Sequence, residues 1–251
     1  MGSKRNRTII EISGEETLKF LQGLITNDID KLDKLDKGII YAAMLTPQGK
    51  YFVDFFIVTY KGCILIDVSK EVSDDLQTKL SLYRLRTKVD IIKTDMSVYT
   101  GIDNPPLGAF NDPRHPALGW RSYENSSINQ DIDWKKLRVK HGIPETNIEL
   151  IRDKTYILEA GFEKLNGVDF KKGCYVGQEI TARMKHKTNL KKGLVKVSVI
   201  GETPVGTEIL ADGRPAGVLY SQSGGHGLAF LRLDRASPKM QAGEATVIIE
   251  N

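Results

Sequence analysis

From Gly193 onward the sequence gives up its mixture of helical and extended patterning for short β-rich runs, and this switch constrains the fold more than any other feature. The runs at residues 194–200, 208–211, 216–220, 228–233 and 245–250 are separated by glycine turns. Strands this short and this closely spaced read as a small β-barrel or sandwich. Upstream, Ser13 and Glu16 have capping-box spacing, and Leu18, Leu21, Leu24 and Ile25 recur at helical intervals, which predicts a first helix over residues 14–28. Apolar runs at 39–45, 51–60 and 63–68, separated by Thr46-Pro47-Gln48-Gly49 and Lys61-Gly62, predict a three-strand meander. Val72, Leu76, Leu80 and Tyr83 mark a second helix, followed by strands at 89–92 and 98–102. Residues 103–116 hold four of the nine prolines and read as a surface loop, and 134–141 as a short basic helix ended by Gly142 and Pro144. The expected fold is α+β followed by all-β. The boundary falls at 189–193, giving an α+β region at 1–190, which could hold two intertwined subdomains, and a β-barrel at 191–251.

With 40% hydrophobic and 27% charged residues, the 251-residue chain can bury a sizeable core, which excludes full-length disorder. The most apolar stretch, 51–60, is interrupted by Asp54 and followed by Lys61, so no run approaches the roughly 18 apolar residues of a membrane span. Residues 1–7 are basic without an apolar segment behind them, unlike a secretory signal. Two cysteines, Cys63 and Cys174, and four scattered histidines make neither a disulfide framework nor a zinc-ligand spacing. A reducing compartment is expected.

The segment Lys171-Lys172-Gly173-Cys174-Tyr175-Val176-Gly177-Gln178-Glu179 is the most unusual stretch. A cysteine between two glycines, behind two lysines and ahead of a helix start, is placed to act as a nucleophile or to ligate a soft metal. The same residue type in a turn also fits simple packing. Cys63, among Ile64, Leu65 and Ile66, reads as core filler. Residues 171–192 carry a net charge of +6 in a chain of +4, so the positive charge is local. That patch, with Arg183, Lys185 and Lys187 in it, suits either a polyanion, such as a polyglutamylated cofactor tail or RNA phosphate, or a solvated helix face. His186 belongs to the same face. His226, in Ser223-Gly224-Gly225-His226-Gly227, reads as a barrel loop.

Lys172-Gly173-Cys174-Tyr175-Val176-Gly177-Gln178-Glu179 resembles the K-G-C-Y-x-G-Q-E signature of the YgfZ family, folate-binding proteins related to the glycine cleavage system T-protein. Phe20-Leu21-Gln22-Gly23-Leu24-Ile25-Thr26-Asn27-Asp28, Pro47-Gln48-Gly49-Lys50 with Asp54, and Leu82-Tyr83-Arg84-Leu85-Arg86-Thr87-Lys88-Val89 resemble further segments of that family in order along the chain. The resemblance implies a T-protein-like body with a central channel for tetrahydrofolate, followed by a C-terminal barrel. Leu158-Glu159-Ala160-Gly161 resembles the segment by which T-proteins hold the pterin, which implies that Glu159 accepts paired hydrogen bonds from it. Read from the residues alone, Glu159 equally fits the surface. The implied cofactor contacts are Glu159, Tyr175, Gln178, Arg86, Arg183 and Lys172. Arg84 and Arg86 share a face only if their segment is extended.

The T-protein acidic pair would lie in the strand after the turn, where this sequence reads Val53-Asp54-Phe55. With a phenyl ring at the second position no second carboxylate can orient or deprotonate an amine, which argues against authentic glycine cleavage. The resemblance therefore implies a folate-dependent accessory factor for assembly or repair of [4Fe–4S] proteins, tRNA-modifying radical enzymes included. In that role Cys174 is the reactive or transient cluster-contacting group, since one thiolate cannot hold a cubane alone. The alternative is a tetrahydrofolate-dependent one-carbon transferase using Asp54. Expected partners are folate, iron–sulfur assembly proteins or client enzymes, and RNA through residues 171–192. The chain is expected to work as a monomer off the membrane, in the cytoplasm or, if eukaryotic and processed, in the mitochondrial matrix.

Overall fold

The computed structural model describes residues 3–34, 38–124, 131–186 and 190–250. They divide into two units, Met1–Ile132 with Glu163–Gln178, and Asp133–Phe162 with Glu179–Asn251.

In the first unit the chain runs β1 (Ser3–Lys4), β2 (Arg7–Ser13), α1 (Thr17–Gln22), α2 (Lys31–Lys34), β3 (Ile39–Leu45), β4 (Tyr51–Tyr60), β5 (Cys63–Ser69), α3 (Ser73–Arg84), β6 (Asp90–Thr94), β7 (Tyr99–Gly101), β8 (Phe110–Asn111) and β9 (Trp120–Ser122). The predicted meander is present as β3-β4-β5 and is extended by β2 and β6 into a five-stranded antiparallel sheet ordered β3-β4-β5-β2-β6. A four-stranded sheet, β1-β7-β9-β8, is built from the short strands, two residues of which (β8) lie inside the expected proline-rich loop.

The central strands alternate in facing, and the alternation divides the large sheet chemically. Val53, Phe55 and Ile57 of β4, with Ile10, Ile12, Ile40, Ala42, Met44, Ile66 and Val68, bury against Phe20 and Leu21 of α1 and Leu76 and Leu80 of α3. The opposite face carries Tyr41, Asp54, Phe56 and Asp67, with Tyr41 opposite Phe56 and Phe56 opposite Asp67 in register.

The first helix is shorter than its spacing predicts. α1 spans only Thr17–Gln22, Ser13 ends β2, and Glu16 caps without a side-chain bond to the helix. The Glu16 carboxylate instead accepts the Lys88 backbone N–H at 2.9 Å. After Gly23 the chain turns so that Ile25 bridges Met44 and the Thr26 N–H donates to the Ala43 carbonyl at 2.9 Å. Leu24 and Ile25 keep a helical interval but bury against the sheet edge, and tertiary packing overrides the local pattern.

In the second unit, α4 (Trp134–His141) starts where Asp133 accepts the Lys136 N–H and ends, as Gly142 and Pro144 predict, at Gly142 in the left-handed conformation. Buried Arg138 on α4 pairs with fully buried Glu149 at 3.1 Å and also bonds Ser221. α5 (Gln178–His186) begins in the first unit and continues in the second. β10 (Lys192–Ile200), β11 (Thr207–Ala211), β12 (Arg214–Ser223), β13 (His226–Arg232), β14 (Lys239–Ala242) and β15 (Ala245–Ile249) close a six-stranded barrel ordered β10-β13-β12-β11-β14-β15. Its core is Val197, Val199, Ile209, Leu219, Leu231, Met240 and Val247. At Gly217 a β-carbon would sit 2.3 Å from the Phe230 carbonyl oxygen, so only glycine lets β12 and β13 approach there. β14 had no counterpart among the expected strands. His226 begins β13 rather than lying in a loop, and its Nδ1 is 2.6 Å from the Glu250 carboxylate. Asn189, at the expected boundary, lies outside the described residues.

Candidate functional site

Three stretches far apart in sequence meet at the loop that carries Cys174. The Lys172 ammonium is buried and donates to the carbonyls of Gln22 at 2.8 Å, Ile25 at 2.6 Å and Asn27 at 2.9 Å. All three of its N–H bonds are thereby used on the turn after α1. The Val176 N–H donates to the Gly23 carbonyl at 3.1 Å. Gly177, at φ +83°, lies against the β3–β4 turn, where an added β-carbon would be 2.5 Å from the Thr46 oxygen and 3.1 Å from the Gly49 α-carbon. Upstream, the Thr26 hydroxyl donates to the Gly167 carbonyl at 2.6 Å, and the Asn27 side-chain amide donates to Tyr41 and Asn166 carbonyls. Lys31 pairs with Asp169 at 2.6 Å.

These ties hold the backbone on both sides of Cys174 and leave the thiol exposed. Gly173 faces open space, since a β-carbon there would meet nothing within 4 Å. Tyr175 is buried, with the Lys172 ammonium 4.9 Å from its ring centroid. Burial pushes the Lys172 ammonium down to about 8, opposed by the negative charges of Asp28, Asp169 and Asp30. Lys172, expected to contact a cofactor, thus spends its donors on the chain itself and fixes the loop. α5 begins at Gln178, four residues past the cysteine, and the Gln178 N–H donates to the Tyr175 carbonyl at 3.1 Å.

The charged face of the large sheet was not anticipated. Asp67 is fully buried and accepts from Arg7 at 2.5 Å, Arg121 at 2.6 Å and the Tyr123 hydroxyl at 3.2 Å. Arg114 chelates Asp112 with bonds of 3.0 and 2.8 Å. The guanidinium carbons of Arg7, Arg114 and Arg121 lie 5.3, 4.8 and 3.7 Å from the Phe56 ring centroid. Burial would raise the Asp67 carboxyl, but Arg7 and Arg121 outweigh it and hold it below the usual carboxylate range. Asp54 sits on this face, accepting from the Tyr51 hydroxyl at 2.6 Å and the Tyr41 hydroxyl at 3.0 Å. Burial and then Asp54 keep the Tyr41 phenol protonated well above its usual range. Phe55 faces the apolar core on the other side, so a carboxylate at position 55 could not join Asp54; the second acid of this face is Asp67. A cleft of about 450 Å³ beside the network is lined by Asp112, Arg114, His115, Trp120 and Asn166 among others.

The remaining candidates are dispersed. Glu159 belongs to the second unit, is half-buried in a run of turns, and its carbonyl accepts the Leu194 N–H at 2.7 Å. Arg86 is exposed in the turn after α3, where Arg84 is the last helical residue, so the extended arrangement of the two is not realised. Arg183, Lys185 and His186 are exposed on α5, whereas Lys187 lies outside the described residues. Cys63 is half-buried opposite Tyr60 at a hairpin end, not fully in the core. Among the described residues no three His, Cys, Asp or Glu side chains gather as metal ligands, and no helix is long and apolar enough to cross a membrane.

The fold is that of a glycine cleavage system aminomethyltransferase. The crystal structure of that T-protein from Bartonella henselae superposes with a TM-score of 0.73, covering 98% of this chain and 83% of that one at 12% identity. Residues 191–250 match the family described as the CAF17 C-terminal beta-barrel domain. The homologues are iron–sulfur cluster assembly factors. The chain is 30% identical over 223 residues to the mitochondrial "Iron-sulfur cluster assembly factor IBA57 homolog" of Mycosarcoma maydis, covering 77% of this chain and 55% of that protein. It is 28% identical to the mitochondrial IBA57 of Homo sapiens, covering 90% of this chain and 75% of the human protein. The chain thus spans about half the length of the fungal relative.

Proposed function

We propose that the chain is a folate-binding accessory factor of iron–sulfur protein assembly in which Cys174 is the working thiol. The observation that carries this is the Cys174 loop, whose backbone is fixed by Lys172, Val176 and Gly177 while the sulfur itself is open to solvent. A soft thiolate presented alone suits a transient iron contact completed by thiols from elsewhere, and it does not suit a resident cubane. The names of the relatives point to the same process.

The ligand that the signature segment implies is tetrahydrofolate. Glu159 is half-buried and its backbone carbonyl accepts the Leu194 N–H at 2.7 Å. Glu159 would bind the pterin, with Arg183 of the same unit a candidate for the rest of the cofactor; the other residues the resemblance implies, Tyr175, Gln178 and Arg86, belong to the first unit. The finer YgfZ-type reading, with tRNA-modifying radical enzymes as clients and RNA contact through residues 171–192, rests on the signature segment and the exposed cations of α5. Residues 1–190 would form the folate body and 191–251 the barrel, acting as a monomer. Two free cysteines suit a reducing compartment, the cytoplasm or, as the names of the relatives suggest, the mitochondrial matrix.

The test is anaerobic alkylation of Cys174, followed by mass spectrometry, with and without a [2Fe–2S] cluster ligated by glutathione. Protection of Cys174 by the cluster, without a stable cluster remaining on the isolated chain after desalting, is the expected result. Unchanged alkylation, or a stable cluster on the isolated chain, overturns this role.

A further inference from the structure

Neither Cys174 nor Glu159 lines the cleft beside the charged face, which holds about 450 Å³ and is built by residues of the first unit alone. Pockets for small molecules run from about 300 to 1,000 Å³. One wall is a tightly seated turn. The Asp112 N–H donates to the Gly119 carbonyl at 2.9 Å, and the Arg114 N–H donates to the Asp112 carboxylate at 3.1 Å. Gly119 adopts φ +63°, and a β-carbon on it would sit 2.1 Å from the Gly101 carbonyl oxygen, so only glycine lets the turn seat on the end of β7. Pro113 and Pro116 stiffen the same turn. Trp120 is buried with its indole N–H spent on the Asp103 carbonyl at 2.8 Å, so it contributes ring surface alone. Ile102 and Pro105 add exposed apolar surface at the rim.

The charges of the cleft cancel. Among the described residues that line it, Asp112 carries the negative charge and Arg114 the positive one, and they chelate each other at 3.0 and 2.8 Å. His115 lines it as well, and its Nδ1 accepts the Ala117 N–H at 3.1 Å, a role that only the neutral ring fills. The network behind is balanced too, with Arg7, Arg114 and Arg121 set against Asp54, Asp67 and Asp112. A charged ligand therefore gains no net attraction there. Hydrogen-bonding capacity remains on both sides of the ledger. Arg114 spends Nε and one terminal nitrogen on Asp112, and its other terminal nitrogen has no partner among the described residues. Asn111 is exposed, and its side-chain amide bonds no other described residue. Asn166 is held at φ +55° by its amide on the Pro113 carbonyl at 2.9 Å and by the Asn27 amide on its backbone carbonyl at 2.7 Å. Its side-chain oxygen is an acceptor with no partner among the described residues.

We propose that this cleft binds the edge of an uncharged cyclic amide, the lactam of guanine and uracil rings, in which a carbonyl oxygen lies beside a ring N–H. Arg114 and the Asn111 amide donate to the carbonyl, and the Asn166 side-chain oxygen accepts from the ring N–H. The prolines, Ile102 and Trp120 cover the apolar faces of the ring. The residues involved are not those of the folate and thiol readings, so the site stands or falls apart from them.

The test is calorimetric titration of the full chain with guanosine and with 1-methylguanosine, whose methyl group replaces the ring N–H, and with uridine and 3-methyluridine as the one-ring pair. In at least one pair the parent nucleoside should bind about tenfold or more tightly than its methylated twin, because the methyl leaves the Asn166 oxygen without a donor. The pair that shows the preference tells whether the cleft takes the one-ring or the two-ring base. Asn111→Ala, at an exposed position that holds no other part of the fold, should weaken the preferred nucleoside by about threefold or more. Asn166→Gly keeps the left-handed backbone and removes the oxygen, so it should abolish the preference over the methylated twin. No binding of either parent at millimolar concentration, equal binding within both pairs, or unchanged affinities in both variants overturns the proposal. Glu159→Gln separates this site from the folate reading. Nucleoside binding that survives Glu159→Gln supports the cleft, whereas binding lost with it and displaced by tetrahydrofolate places the ligand at the folate residues and overturns the cleft. Tetrahydrofolate binding that depends on Glu159 and is unchanged in Asn111→Ala leaves the folate reading standing whatever the nucleosides do.

Discussion

Gly177 is packed so closely on the β3–β4 turn that a β-carbon on it would lie 2.5 Å from the Thr46 carbonyl oxygen. This contact ties the signature loop to the hairpin that leads into β4. Its φ of +83° alone would cost an alanine roughly 1–2 kcal/mol, and the clash adds to that. Gly177→Ala should lower the melting temperature and speed alkylation of Cys174 as the loop loosens. Wild-type values for both would mean the loop is not fixed at this point.

Lys172→Met should leave the Gln22, Ile25 and Asn27 carbonyls without a donor and cost about 1–3 kcal/mol at neutral pH. The pH dependence has a defined sign. The folded ammonium titrates at about 8 against an ordinary 10.5, so between these values the unfolded chain binds more protons and wild-type stability rises with pH. The difference between wild type and Lys172→Met in denaturant titrations should therefore grow from neutral pH to mildly alkaline pH. A flat difference would mean that burial does not shift this lysine.

Asp67→Asn should remove the charge that Arg7 and Arg121 share, leaving Arg121 with only its 3.5 Å contact to Asp112, at a cost of about 3–5 kcal/mol. Because the folded carboxyl is held below its ordinary 3.8, its contribution is fully present above that pH and is lost as pH falls through the lower folded value. Acid titrations should show the two proteins converging below about pH 4. Parallel curves down to strong acid would contradict the buried pairing.

Tyr51→Phe should remove the 2.6 Å hydroxyl bond to the buried Asp54 carboxylate, costing about 1–3 kcal/mol without altering Cys174 alkylation. A change in thiol reactivity would mean that the charged face and the cysteine loop are coupled.

How much of this was readable in advance depended on the range of the interactions. β3 and β4 match their expected bounds, because an apolar run between turn signals has few other solutions. α4 does too, since Asp133 and Gly142 mark its ends locally. Leu24 and Ile25 misled because their helical interval is also satisfied by a turn packed on β3. Cys174 stood out by residue type, but the task of Lys172 did not, since the carbonyls it binds are 145 to 150 residues away. Asp67 carried a signal that went unused. An acid inside Ile64-Leu65-Ile66-Asp67-Val68 must be buried and so demands cations, and these come from Arg7 and Arg121, 60 and 54 residues distant.

The most direct test of Cys174 as the working thiol is the activity of a [4Fe–4S] enzyme in cells that lack this chain, complemented with wild type or with Cys174→Ala at equal expression. The alanine fits the loop, because the cysteine side chain is exposed and its neighbours hold the backbone. Restoration by wild type alone is the expected result. Equal restoration by Cys174→Ala would contradict it and reduce the cysteine to a surface residue of a loop that works by other means.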